Sequence, residues 1–122
     1  MKEIKIINKE SDYYGKTGLA TKTADGKYIC VYLRGQRTFQ IFYAEEIAVR
    51  GNATVYEATH LAFNLIGATE FPIRSLVDRV RSICERPELM DGTILRRLRE
   101  LRADGKINFI CIDNHKAIYQ KA

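Results

Sequence analysis

A chain of 122 residues with 20 Lys or Arg against 15 Asp or Glu carries a formal charge of +5 and a pI near 9.2, which suits a polyanionic partner but falls far short of a histone-like charge density. Cys30, Cys84 and Cys111 are too few and too scattered for a disulfide frame or a zinc site, and read as reduced core thiols of a cytoplasmic protein. No signal peptide is expected, and no apolar run is long enough to cross a membrane.

The hydrophobic period changes near residue 50, which argues for two small modules, 1-50 and 53-122. Each is too small to bury much more than about 60% of its unfolded surface, so each leans on the other or on a second subunit. Residues 3 to 49 have no helical period until Ala44 and divide at Gly or Asp-Gly punctuation into short strands: Glu3 to Asn8, Leu19 to Thr23, Lys27 to Arg34, Arg37 to Tyr43, and Ile47 to Val49. Asp25-Gly26 is the strongest hairpin signal and Gly35-Gln36 a second. Tyr28, Cys30, Tyr32 and Arg34 alternate with Ile29, Val31 and Leu33, the pattern of a half-buried strand. Arg50-Gly-Asn52 is too short for a free linker.

Gly15-Lys-Thr-Gly18 followed by Leu19-Ala20, after the first strand Ile4-Lys-Ile-Ile7, resembles the loop and second strand of SH3-like barrels, including the KOW type of ribosomal and transcription proteins. The resemblance spans about 45 residues and implies a small closed β-barrel whose loop faces a ligand. The usual leading Gly is replaced by Glu10-Ser-Asp12. A phosphate-loop reading of Gly15-Lys16-Thr17 fails, because the full spacing and the following helix are missing. Tyr13, Tyr14, Tyr28, Tyr32, Phe39, Phe42 and Tyr43 are interleaved with Lys16, Lys22, Lys27, Arg34 and Arg37, a composition suited to stacked bases of single-stranded nucleic acid. The plainer expectation is that most of these rings fill the barrel. Tyr13 and Tyr14, which sit in a loop, are the exceptions, and with Lys16 they form the candidate ligand face.

Thr54 to Ile66 reads as a helix through Ala58, Leu61, Ala62 and Leu65, ended by Gly67. Thr54, Val55 and Tyr56 fit a strand equally well. A second helix runs from Phe71 to Arg86, with Pro72 near its first turn, Ile73, Leu76, Val77, Val80, Ile83 and Cys84 on one face, and Pro87 as its stop. After Glu88-Leu-Met90, a third helix, Asp91 to Asp104, places Ile94, Leu95, Leu98 and Leu101 on a buried stripe flanked by Arg97 and Arg102. Thr93, Arg96, Arg99 and Glu100 fall on the opposite side, with Gly92 and Ala103 small enough for close approach to a ligand. Asp91 is the expected N-cap and Gly105 the expected left-handed residue past the end. Alternation from Ile107 to Lys121 then predicts a hairpin turning at Asp113-Asn-His-Lys116.

Three helices and a hairpin, with the phrase Thr93-Ile-Leu-Arg-Arg-Leu-Arg-Glu-Leu101 followed by Asp104-Gly-Lys-Ile107, resemble the winged helix-turn-helix family over about 70 residues. The resemblance implies that the third helix enters the major groove of DNA while the hairpin wing touches backbone or minor groove. The wing tip departs from members that grip phosphate, which often carry more Arg or Lys. An ordinary helix and hairpin in a small α+β core is the alternative.

Arg74, Arg79, Arg81, Arg86, Arg96, Arg97, Arg99 and Arg102 are all arginine, with no lysine after residue 50 until Lys106, whereas residues 1 to 50 use six Lys and three Arg. Arginine suits bidentate contact with guanine or phosphate. The expected DNA contacts are therefore Arg96 or Arg99 to guanine, Thr93 to a phosphate or base edge, and Glu100 to cytosine or back to orient Arg96. Arg74, Arg79 and Lys116 would hold the backbone. His60 and His115 read as exposed and inert, and no acid/base set or cofactor motif converges, so a non-enzymatic, cofactor-free DNA-binding regulator is expected. A protein-interaction adaptor using the same helical surface, and an RNA or ribosome-associated factor led by the first module, are the alternatives.

Overall fold

The computed structural model describes residues 1–33 and 35–122; Arg34, expected on one strand face with Tyr28, Cys30 and Tyr32, lies outside them. The fold is α+β and divides into two compact units, Met1–Thr54 and Val55–Ala122.

In the first unit, strands β1 (Lys2–Ile6), β2 (Thr17–Lys22), β3 (Tyr28–Leu33), β4 (Gln36–Phe42) and β5 (Ile47–Asn52) form one antiparallel sheet in the order β4-β3-β2-β1-β5. The closed barrel expected over 1-50 is not formed among the described residues. A single 3-10 turn, Ala44–Glu46, carries the chain from β4 to pairing with β1, and β4 and β5 remain as edges. Arg50-Gly-Asn52, too short for a free linker, forms the end of β5, paired through Glu3↔Gly51 and Lys2↔Asn52. A register shift between Glu3 and Ile4 and a φ of +127° at Gly51 let the strand run on.

Ile4, Ile6, Ala20, Cys30, Leu33, Phe42 and Ile47 make the buried cluster of this unit. Leu33 joins Cys30 on the inner side, against the simple alternation. Ala20 pairs with Cys30 but Leu19 with Tyr32, so Val31 is an extra residue that reverses the facing of Tyr32 and Leu33 after it. The same irregularity brings the Tyr32 carbonyl over Gly18, where a Cβ would lie 2.3 Å from it. Burial raises the Cys30 thiol pKa and holds it protonated, donating to that carbonyl at 3.3 Å.

The second unit contains α1 (Val55–Leu65), β6 (Glu70–Pro72), α2 (Ile73–Cys84), α3 (Asp91–Ala103), β7 (Phe109–Asp113) and β8 (Ile118–Lys121), with the strands ordered β6-β8-β7. Phe71, expected to open the second helix, lies in β6 and pairs with Tyr119, their rings stacked at 6.2 Å. The residue before a proline is driven to extended backbone, and Pro72 itself has ψ 142°. Helix α2 then stops at Cys84 rather than Arg86, because Glu85 turns left-handed (φ +56°) and Arg86 N–H closes back on the Arg81 carbonyl at 3.0 Å.

Helix α3 ends in the same motif, with Gly105 at φ +74°, its N–H on the Arg102 carbonyl and Lys106 N–H on the Leu101 carbonyl, both at 3.0 Å. Its N-cap is Met90, which offers no side-chain cap, and not Asp91. The carboxylate of Asp91 instead accepts from Arg81 at 2.7 Å, and Arg81 also donates to the Leu89 carbonyl at 2.8 Å. The α2–α3 turn is thereby held by one guanidinium. Cys111, read as a core thiol, is exposed, as are Ile110 and Ile112 beside it, because only Phe109 of β7 reaches the buried interior.

No helix among the described residues is long and apolar enough to cross a membrane. His60, expected to be exposed, is buried on α1, and burial together with the nearby Lys106 charge lowers its pKa below 6.5. A histidine held neutral when folded but protonated when unfolded contributes stability fully present above about pH 6.5 and lost as the pH falls below it. Urea unfolding should therefore show lower stability at about pH 5 than at about pH 7.5, and His60→Gln should flatten that dependence. An equal slope in both proteins would assign the acid sensitivity to other groups.

Candidate nucleic-acid interface

Spacing alone puts Thr93, Arg96, Arg99 and Glu100 on one side of α3, at i, i+3, i+6 and i+7. Arg96 and Arg99 are exposed, and among the described residues no carboxylate pairs with either. Glu100 is engaged elsewhere. Its two oxygens accept from Arg97 Nη1 at 2.7 and 2.9 Å, so it neutralises Arg97 and does not orient Arg96. Thr93 is half-buried, with its N–H on the Met90 carbonyl at 3.1 Å.

Arg102 lies with its guanidinium carbon 4.3 Å from the centre of the Phe109 ring and donates to the Phe109 carbonyl at 3.3 Å. It ties the end of α3 to the base of the β7–β8 hairpin. Between helix and hairpin is a small cavity whose rim includes Arg99, Arg102, Cys111 and Tyr119, so Arg99 stands at the junction of the two elements. Tyr56 donates to the Asp104 carboxylate at 2.6 Å at the far end of α3, and that acceptor pushes its pKa up to about 12.

Arg74 and Arg79 are both exposed on α2 and have no ion-pair partner among the described residues. Five residues apart, they lie about 140° from each other around the helix and do not share a face. Lys116 is exposed in the hairpin turn, where its backbone N–H bonds Asp113 Oδ1 at 3.0 Å and Ala117 takes a left-handed φ of +53°.

Gly92 has open space where a Cβ would stand. Gly92→Ala should therefore raise stability by about 0.5–1 kcal/mol through helix propensity. If the bare backbone serves close approach to a ligand, the same variant should weaken nucleic-acid binding, so the two readouts move in opposite directions. Unchanged binding would free Gly92 of any contact role.

In the first unit, Tyr13 packs edge-on against Phe42 with ring centres 6.1 Å apart, and Lys16 Nζ sits 5.4 Å from the Tyr13 ring. Tyr14 is 52% exposed. A cleft lined by Tyr13, Lys16, Leu33, Gln36, Arg37 and Thr38 brings the first two together and leaves Tyr14 out. Gln36, Arg37 and Thr38 were not anticipated there. The signal was the Gly35-Gln36 turn, where Gly35 at φ +79° folds β4 back beside the loop. Phe42 is buried in the core cluster and Tyr32 is also buried, whereas Phe39 on β4 and Tyr43 just after it are exposed. Among the described residues no group of three His, Cys, Asp or Glu could hold a metal ion. Comparison with protein-family models, curated proteins and solved structures finds no match to this chain.

Proposed function

We propose that the chain is a duplex-DNA-binding protein, a transcriptional regulator acting by binding alone, with α3 as the groove-reading helix and the β7–β8 hairpin as a wing. The element order α1, β6, α2, α3, β7, β8 supports reading the second unit as a winged helix-turn-helix. The strand order of the first supports an SH3-like module with unpaired ends. The observation that carries the proposal is how the eight arginines between residues 74 and 102 divide. Arg81, Arg86, Arg97 and Arg102 are held by carboxylates, carbonyls or a ring, and Arg74, Arg79, Arg96 and Arg99 stay exposed with no ionic partner among the described residues. Solvated guanidiniums are the groups that phosphates and guanine edges recruit.

The test is fluorescence anisotropy with a random-sequence duplex and a matched single-stranded RNA, at about 50 and 200 mM salt. Phosphate contacts predict duplex binding that weakens steeply across that range. A second reading, single-stranded RNA bound by the first unit, is favoured by the cleft in which Lys16 and Arg37 flank Tyr13. Preference for RNA, with quenching of tyrosine fluorescence, would support it. Binding to neither would shift the reading to a protein adaptor.

A further inference from the structure

The sheet of the first unit has two edges, and they are built differently. At β5 the register slips opposite Glu3, Gly51 twists to φ +127°, and Arg50 is exposed, the devices that usually keep an edge strand from pairing with another. At β4 such features are confined to the start of the strand, where the register with β3 shifts between Arg37 and Gln40 and Arg37 is exposed. Between Arg37 and Glu45 the chain reads Thr38-Phe-Gln-Ile-Phe-Tyr-Ala44, without charge, proline or glycine. Its exposed side carries Phe39 at 69%, Ile41 at 55% and Tyr43 at 54% exposure.

The exposed positions form a series that reads as its own complement: Arg37, Phe39, Ile41, Tyr43, Glu45. We infer that β4 pairs antiparallel with β4 of a second copy of this chain, about a two-fold axis at Ile41. Opposed residues in an antiparallel pair share a face. That register therefore sets Ile41 against Ile41, Phe39 against Tyr43 twice, and Arg37 beside Glu45 twice. Tyr43 is extended (ψ 154°) and continues the line of β4, while Glu45 is exposed in the turn immediately after it. Shifting the centre to Gln40 keeps the apolar faces together but moves each Glu45 away from Arg37, so charge selects the register. The contact is small, and a dimer at about 10–100 µM is the expected strength. It stands independently of the DNA reading, and would supply the two-fold symmetry that a palindromic site requires.

Sedimentation velocity measures the association directly. The wild-type chain should dimerise in that range, and Ile41→Lys, which places two ammoniums face to face at the axis, should raise the dissociation constant about tenfold or more. Arg37→Glu should weaken the dimer, and Arg37→Glu combined with Glu45→Arg should restore it. Circular dichroism checks that these exposed substitutions leave the fold intact. In a Cys111→Ser background, Ile41→Cys should form a disulfide dimer with diamide, since opposed residues fall within disulfide reach. Thr21→Cys, exposed on β2 away from the edge, should not. A wild-type chain still monomeric at about 500 µM, well above the expected dissociation constant, would overturn the inference. So would a dimer indifferent to Ile41→Lys, or a charge reversal that fails to restore pairing.

Discussion

Removing both exposed guanidiniums of α3, Arg96→Ala with Arg99→Ala, is expected to lower duplex affinity about 100-fold or more at about 100 mM salt, at roughly 1–3 kcal/mol per arginine contact. Both side chains are exposed and have no ion-pair partner among the described residues, so stability should stay within about 0.5 kcal/mol of the parent. The salt dependence identifies what each one touches. An arginine on phosphate should reduce the slope of log K against log salt by about one, uniformly across sequences. One on a base edge should leave the slope largely intact and relax discrimination at one position. Arg102→Ala is the informative contrast, because it removes the contact with Phe109 and should destabilise the fold by about 1–2 kcal/mol. Undiminished affinity in the double variant, with the fold intact, would remove α3 from the interface.

The second large effect is expected from Gly18→Ala. The added methyl would lie 2.3 Å from the Tyr32 carbonyl oxygen, 3.0 Å from a Leu33 methyl and 3.1 Å from Cys30 Sγ. Backbone of a paired strand cannot yield as a flexible side chain does, so either β2 separates from β3 or the bulge at Val31 rearranges. A cost of about 3 kcal/mol is expected. Unit 1 holds residues Met1–Thr54, and a unit of that size has only about 3–8 kcal/mol of total stability. Urea unfolding followed by tyrosine fluorescence should show the unit largely unfolded at moderate temperature. Gly26→Ala serves as the comparison, since its site is open and only its φ of +85° opposes a side chain, a penalty of about 1 kcal/mol. Equal losses at the two positions would mean that the close approach over Gly18 relaxes freely.

Much of this architecture is legible in the chain because local chemistry sets it. Asp25-Gly26 turns β2 into β3, with Gly26 N–H on the Thr23 carbonyl at 3.1 Å, and Gly105 ends α3 as its lack of a Cβ allows. What escapes a linear reading is set by partners distant in sequence. Phe71 looks helical by period, but Tyr119 claims it for a strand. The facing of Leu33 depends on an extra residue relative to a neighbouring strand, which no alternation within β3 records. Among the arginines, spacing separates those facing inward from those facing out. Only the structure shows that Arg97 is taken by Glu100 and Arg81 by Asp91. Arg37 enters the cleft beside Tyr13 through a hairpin turn, so the loop that carries Tyr13 and Lys16 gives no hint of it.

The clamp of Arg102 on Phe109 has a mechanical consequence. Phe109 is wedged among Phe63 and Tyr119, with ring centres 6.4 and 5.7 Å away, so the root of the hairpin is fixed to the helices by aromatic contacts as well as by a cation. The five residues Phe109–Asp113 then act as a stiff lever, about 16 Å from root to tip at strand rise. That reach exceeds the roughly 12 Å width of a major groove. On the proposed DNA reading, how far Lys116 stands from the root of the hairpin is set by strand length rather than by the flexibility of the turn.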